Sequence, residues 1–204
     1  MKDNDILDQN VEFNSFEQLK QTSLGCSQCS LRAGAKQVVF GMGNPDAQIM
    51  FVGEAPGKQE DESGQPFVGT AGNLLDKIFE AAGIDRDEVF ITNVAKCRPP
   101  ANRFPQAEEV AACRVYLEAQ IRLINPLIIV CLGALATKTL INPQAKITHI
   151  RGQWFERNGI KILPTFHPAA LLRDPSKKRP VWEDFQELMR VYKEMTTQQV
   201  TLDW

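Results

Sequence analysis

Short apolar runs alternate along this chain with longer stretches whose apolar positions recur every three or four residues. Residues 37–40, 48–52, 88–93 and 127–132 are runs of strand length. The last, Leu127-Ile-Ile-Val-Cys-Leu132, is unbroken, as a parallel strand buried on both faces requires. Between them, residues 70–82 place Leu74, Leu75, Ile78 and Phe79 on one helical face, with Thr70 as cap and Gly83 as stop. Residues 106–125 carry Val110, Cys113, Leu117, Ile121 and Ile124 at helical spacing, and Pro126 ends them. Ser15-Phe-Glu-Gln-Leu19 reads as a short capped helix, residues 133–141 as another, and residues 180–195 as a closing one. Segments 153–156 and 160–163 flank Asn158-Gly159, a strong hairpin signal, and Gly43-Asn-Pro-Asp46 is a turn. This alternation predicts an α/β fold, a three-layer α/β/α sandwich with a mostly parallel central sheet. The domain is expected over residues 15–196, between a flexible N-terminal segment 1–14 and a C-terminal tail 197–204.

One stretch breaks the alternation. From Phe51 to Gly72 the chain packs five glycines, two prolines and four carboxylates between an apolar run and a helix. A loop of this length without its own periodicity is functional or disordered, and the apolar anchors Phe67 and Val68 argue for function. Ligands of α/β proteins bind where such loops leave the carboxyl ends of strands. Gly53-Glu-Ala-Pro-Gly57-Lys58 falls short of a phosphate loop, because its glycines are one residue too close and Gln59 follows the lysine. No G-x-G-x-x-G follows a strand, so a nucleotide cofactor is excluded. The strand-end loops instead collect Glu54, Glu60, Asp61, Phe67, Asn93 and His167. A carboxylate can orient water or stabilise a cationic sugar, an asparagine amide can read a nucleobase edge, and a phenylalanine can stack on that base. A histidine can donate to a developing oxyanion. Each of these residues alone is as well explained by capping, packing or solvation; their convergence on strand-end loops is the signal.

The 204 residues carry a net charge of −2, so no global basic field announces a nucleic-acid partner. No signal sequence and no long apolar run is visible, which predicts an intracellular protein without a membrane partner. Two histidines are too few for a three-His metal site. Five cysteines in an intracellular chain point to metal ligation or reactive thiols rather than disulfides. Cys26-Ser-Gln-Cys29 has ligand spacing, Cys97 sits in a loop with Lys96, Arg98 and Pro99, and Cys113 follows in the next helix. Cys131, inside the apolar run, reads as a small buried hydrophobe. Four thiolates from two distant segments suit either zinc or a [4Fe–4S] cluster, and spacing does not choose.

Four segments together, Gly53-Glu-Ala-Pro-Gly-Lys-Gln-Glu-Asp61, Pro66-Phe-Val-Gly-Thr-Ala-Gly72, Thr92-Asn-Val-Ala-Lys-Cys-Arg-Pro-Pro100 and His167-Pro-Ala-Ala-Leu-Leu-Arg173, resemble the family 4 uracil-DNA glycosylases. The similarity runs from about Cys26 to about Met195. It implies a monomeric DNA-repair enzyme that hydrolyses the N-glycosidic bond of deoxyuridine in single- or double-stranded DNA, releasing uracil in base excision repair. It also implies a [4Fe–4S] cluster on Cys26, Cys29, Cys97 and Cys113, with zinc as the lesser alternative. Carried over by motif, Phe67 would stack on uracil, Asn93 would read its edge and His167 would hold its O2. Glu60 would be the carboxylate facing sugar and water, and Glu54 and Ala55 would line the pocket. Leu171 or Leu172 would fill the space left by the extruded base, and Arg173, Arg98 and Arg103 would contact DNA. Relatives that trap uracil-DNA covalently carry a basic, His-containing insertion before the fourth cysteine; residues 96–113 hold no histidine, so hydrolytic turnover is expected. The competing expectation is an iron–sulfur nucleic-acid-binding module without catalysis.

Overall fold

The structure, a computed structural model, describes residues 13–202. Most of the expected flexible N-terminal segment and the end of the expected tail lie outside the described residues. Helices α1 (Phe16–Leu24) and α2 (Leu31–Gly34) precede strands β1 (Met42–Gly43) and β2 (Ile49–Gly53). There follow α3 (Lys58–Ser63), α4 (Thr70–Ala82), β3 (Phe90–Asn93), α5 (Ala107–Ile124), β4 (Ile128–Leu132), α6 (Ala134–Leu140) and α7 (Ile147–Ile150). The hairpin β5 (Phe155–Arg157) and β6 (Ile160–Thr165), then α8 (Pro168–Arg173) and α9 (Lys178–Leu202), complete the described chain. The six strands form one sheet in the order β1-β3-β2-β4-β6-β5. Its four inner strands are parallel, and both edge strands run antiparallel.

The period of two along each inner strand assigns residues to layers. Met50 and Val52 of β2 join Phe90, Ile129, Cys131 and Ile162 against Leu19 of α1 and Tyr116 and Leu117 of α5. Ile49 and Phe51 join Ile91, Ile128, Val130 and Leu163 on the opposite face, against Leu75 and Phe79 of α4 and Phe185 and Leu188 of α9. Each of these large side chains contributes about 1.5–3 kcal/mol by leaving water. The inner strands β2 and β4 are therefore apolar along their length, because helices cover both faces. The expected three-layer architecture is present.

Several local expectations change. Residues 37–40 form no strand: Val38, Val39 and Phe40 are buried, but Val39 N makes a lone bond to Lys96 O at 2.7 Å. The segment is tied instead by Asp61, whose carboxylate accepts from Lys36 N at 2.9 Å. The central loop contains α3, too short for periodicity to reveal. Phe13 is in the core, two residues ahead of the expected domain start, and α9 extends past both expected ends. A third, smaller apolar cluster gathers Leu31, Ala35, Val38, Ala95 and Cys97 beside Cys29 and Ala55.

Candidate active site

The parallel strands bring their carboxyl ends to one edge of the sheet. There β2 ends on Gly53, paired in register with Asn93 at the end of β3. One strand further along, Leu132 of β4 pairs with Thr165 of β6. The loops holding residues 54–69, 94–106, 133 and 166–167 leave from this edge. Asn93 is 2% exposed, and its Oδ1 has no hydrogen-bond partner among the described residues. A buried acceptor left unpaired costs about 1–3 kcal/mol, so one retained beside a strand-end loop marks the place of a donor from outside the protein.

Gly53 and Gly72 shape the space around that amide. A Cβ on Gly53 would lie 2.4 Å from Asn93 Oδ1 and 2.6 Å from Cζ of Phe67. A Cβ on Gly72 would lie 1.9 Å from the carbonyl oxygen of Phe67. The first turn of α4 therefore closes onto the backbone of Phe67, which takes a left-handed φ of 53°. That conformation costs a non-glycine residue roughly 1–3 kcal/mol, and here it turns the ring into the site. The Phe67 and His167 rings lie 5.5 Å apart at 29°, so they share one wall.

His167 caps α8: its Nδ1 accepts from Ala169 N at 3.1 Å. Nδ1 is thereby committed as an acceptor, so in the neutral ring the proton sits on Nε2, which is left to donate. Burial, helped by the positive charge of Arg173 and opposed by Glu60, brings the His167 pKa down to about 4. The site therefore holds a neutral imidazole at physiological pH.

Glu60, expected to face sugar and water, is tied into the central loop by main-chain amides. Its Oε1 accepts from Val68 N at 3.0 Å and Gly69 N at 2.8 Å, and its Oε2 from Gly57 N at 3.1 Å. Three of roughly four acceptor directions are used. Glu60 pins both ends of the loop that carries Phe67, and its charge still reaches His167. Asp61 is buried and bonded to the chain at Lys36, not part of a solvated face. Glu54 is half-buried and its carboxylate makes no hydrogen bond among the described residues; burial raises its pKa, and Arg173 opposes that rise. Ala55 lies beside Glu54 and packs on the cluster around Cys97.

Cys26, Cys29, Cys97 and Cys113 converge. The Cys97 thiol is pushed up to about 12 by burial first, then by the charges of Cys113, Cys29 and Cys26. Cys113 is raised by burial as well, and accepts from Lys96 N at 3.3 Å. No three His, Cys, Asp or Glu side chains among the described residues are placed to hold a single ion. Cys131 is fully buried in β4, as its apolar neighbours imply.

The expected DNA contacts divide. Leu171 is 2% exposed and belongs to the core, whereas Leu172 is 46% exposed. The expectation for Leu171 is corrected: one residue along a helix turns the side chain by about 100°, and α8 turns Leu171 into the core it shares with α4. Arg173 is exposed. Arg98 donates to Asn102 Oδ1. Arg103 is committed to the buried Glu109 through bonds of 2.7 and 2.8 Å, so it braces the loop. Residues that the pattern did not single out are Gly53 as a spacer, Tyr116, whose side chain reaches Cys26, and Phe104, left 70% exposed beside Arg103. Only Phe104 had a visible sign, an aromatic among polar and proline residues.

The family model of the uracil DNA glycosylase superfamily matches residues 40–187. A type-4 uracil-DNA glycosylase of Sulfurisphaera tokodaii is 42% identical over 94% of this chain and 90% of its own length. Another of Thermotoga maritima is 48% identical over 79% of this chain and 86% of its own. A third, of Saccharolobus solfataricus, is 44% identical over 87% and 85%. No helix among the described residues is long and apolar enough to cross a membrane.

Proposed function

The chain belongs to the type-4 uracil-DNA glycosylases of the uracil-DNA glycosylase superfamily, and from that membership we propose that it hydrolyses the bond between uracil and deoxyribose in DNA. The observation that carries the reading is the unpartnered, buried Asn93 Oδ1 beside Phe67 and the donating face of His167. Uracil offers N3–H to such an acceptor and O2 to such a donor. Extruding the base from a duplex costs on the order of a few kcal/mol. Leu172, exposed on α8, supplies the apolar wedge, and Arg173 the phosphate contact.

As the C1′–N1 bond breaks, its electron pair leaves with uracil and the sugar becomes oxocarbenium-like. Nε2–H of His167 donates to O2, where negative charge grows; a neutral imidazole binds that charge without first surrendering a proton. Glu60, held by three amides, presents a fixed negative charge to the sugar cation. Water adds to C1′, loses a proton, and uracil N1 ends protonated. Glu54, with unused acceptor capacity at the same edge, lines the water side.

The all-thiol set of Cys26, Cys29, Cys97 and Cys113 fits a [4Fe–4S] centre, which the family resemblance favours, and would also accept zinc as the lesser alternative. Such a group, when bound, supplies positive charge that keeps the four sulfurs as thiolates and needs no redox step. Its effect is to join the 94–106 loop to the Cys26–Cys29 segment. The enzyme acts as a monomer on single- or double-stranded DNA.

The deciding experiment is release of free uracil from oligonucleotides with one uracil, single-stranded and duplex. Stoichiometric or multiple turnover is expected; DNA binding without release would overturn the reading. Asn93→Ala should narrow the preference for uracil over cytosine by about 1–3 kcal/mol, the worth of a paired base edge. Competition between uracil- and cytosine-containing strands measures it. Gly53→Ala should weaken inhibition by free uracil and slow release together, since the new methyl displaces both the Asn93 amide and the Phe67 ring. Unchanged inhibition would show that the site tolerates that displacement.

A further inference from the structure

Lys96 is 1% exposed, a burial that lysine tolerates only when its amino group is satisfied by hydrogen bonds. Its Nζ donates to Asn93 O at 2.7 Å, Thr92 Oγ1 at 2.6 Å and Gln120 Oε1 at 2.6 Å. The neighbours confirm the direction of these bonds. Thr92 Oγ1 donates to Phe40 O at 2.9 Å and Gln120 Nε2 to the same oxygen at 2.8 Å, so each turns an acceptor to Lys96. Three acceptors take all three N–H groups of an ammonium. The same residue's main-chain N–H reaches Cys113 Sγ. One residue thus grips the main chain of Asn93 and the sulfur of a cysteine in α5.

We propose that Lys96 is the positioning residue for Asn93: it locks the last peptide of β3 so that the amide faces the base in one orientation. The proposal rests on Asn93 as the uracil reader. An asparagine amide rotated by half a turn would present its N–H₂ where Oδ1 belongs, opposing the N3–H of uracil and matching the edge of cytosine instead. Among the described residues Asn93 Oδ1 has no partner to hold its orientation. What restricts it is the steric wall at Gly53 and Phe67 together with the backbone from which it projects. Lys96 fixes that backbone from behind, through a short hydrogen bond in a dry interior where such bonds are strong. Because the Cys113 contact is made by the main chain, substitution of the side chain leaves it in place.

The test is the affinity of the holoenzyme for free uracil, measured by calorimetry, alongside kcat/KM on uracil-containing single strands and the visible absorbance of the metal centre. Lys96→Met is expected to weaken uracil binding by about 10-fold, the worth of a buried hydrogen bond, with absorbance unchanged. Thr92→Val, which leaves the Lys96–Asn93 bond, should lower the melting temperature and keep uracil affinity. Wild-type affinity in folded Lys96→Met, or an equal loss in Thr92→Val, would overturn the assignment. If Lys96→Met fails to fold, Lys96→Met/Gln120→Leu removes the charge together with one acceptor, and its uracil affinity decides in the same way. A wild-type enzyme that neither binds nor releases uracil would instead remove the function on which the proposal stands.

Discussion

Replacing His167 by alanine is expected to lower the rate of uracil release by ~10²–10³, the usual loss when a preorganised oxyanion donor is removed. The magnitude follows from the single donor the ring offers. Nδ1 is occupied by Ala169 N, so Nε2–H alone faces the leaving base. Alanine also deletes the cap of α8, at about 0.5–2 kcal/mol of stability. His167→Asn separates the two effects: its short side chain keeps the cap and does not reach the base. Asparagine should restore the melting temperature and not the rate. A His167→Asn enzyme with wild-type turnover would remove His167 from the chemistry. The pH profile gives a second check. The folded pKa of about 4 lies below the ordinary 6.5, so between these values the unfolded chain binds more protons than the native one. The stability tied to this group is complete above pH 6.5 and is lost as pH falls through about 4. In kcat/KM, no inflection is expected near 6.5, and activity should fall as pH approaches 4.

The second large effect is expected at Cys97. Cys97→Ala should abolish the brown colour and cost about 4–5 kcal/mol or more, a major share of the roughly 5–15 kcal/mol that holds a domain. Cys97 sits beside Lys96, in the arginine-bearing loop, and among three other thiols. Without the shared metal, burial favours the neutral Cys113 thiol, and nothing links α5 and the 94–106 loop to the Cys26–Cys29 segment. Cys131→Ala is the control, because that thiol lies in the sheet core away from the set. It should keep the full visible spectrum. Visible absorbance and thermal melting measure both variants; a coloured, equally stable Cys97→Ala protein would exclude Cys97 as a ligand.

The regular parts of this fold could be read from the chain because their periodicity is local. Thr70–Ala82 and Ala107–Ile124 each run long enough to repeat an apolar face several times, and 128–132 is unmistakably buried on both sides. Short elements gave no such repetition. Helix α3 spans only Lys58–Ser63 and is held by Glu60 and its amides, not by an apolar face. Residues 37–40 carry strand-like side chains yet form no ladder, because Asp61 and a single backbone bond to Lys96 occupy that edge. Leu171 and Leu172 are indistinguishable by type, and one turn of helix is too little to fix which faces inward.

The same division holds at the site. Residue types and spacing were enough to single out Asn93, His167, Phe67 and the four cysteines as candidates, since motif and strand-end position are properties of consecutive residues. Their relations were not available there. That Asn93 pairs with Gly53, that Glu60 is consumed by three amides, that Arg103 is bound to Glu109, and that Lys96 is buried under Asn93 all depend on strand order and on packing between segments far apart in the chain. A lysine between Ala95 and Cys97 looks solvated on paper. Only when β3 lies beside β2, and α5 sets Gln120 beneath it, do three acceptors surround its ammonium and make burial possible.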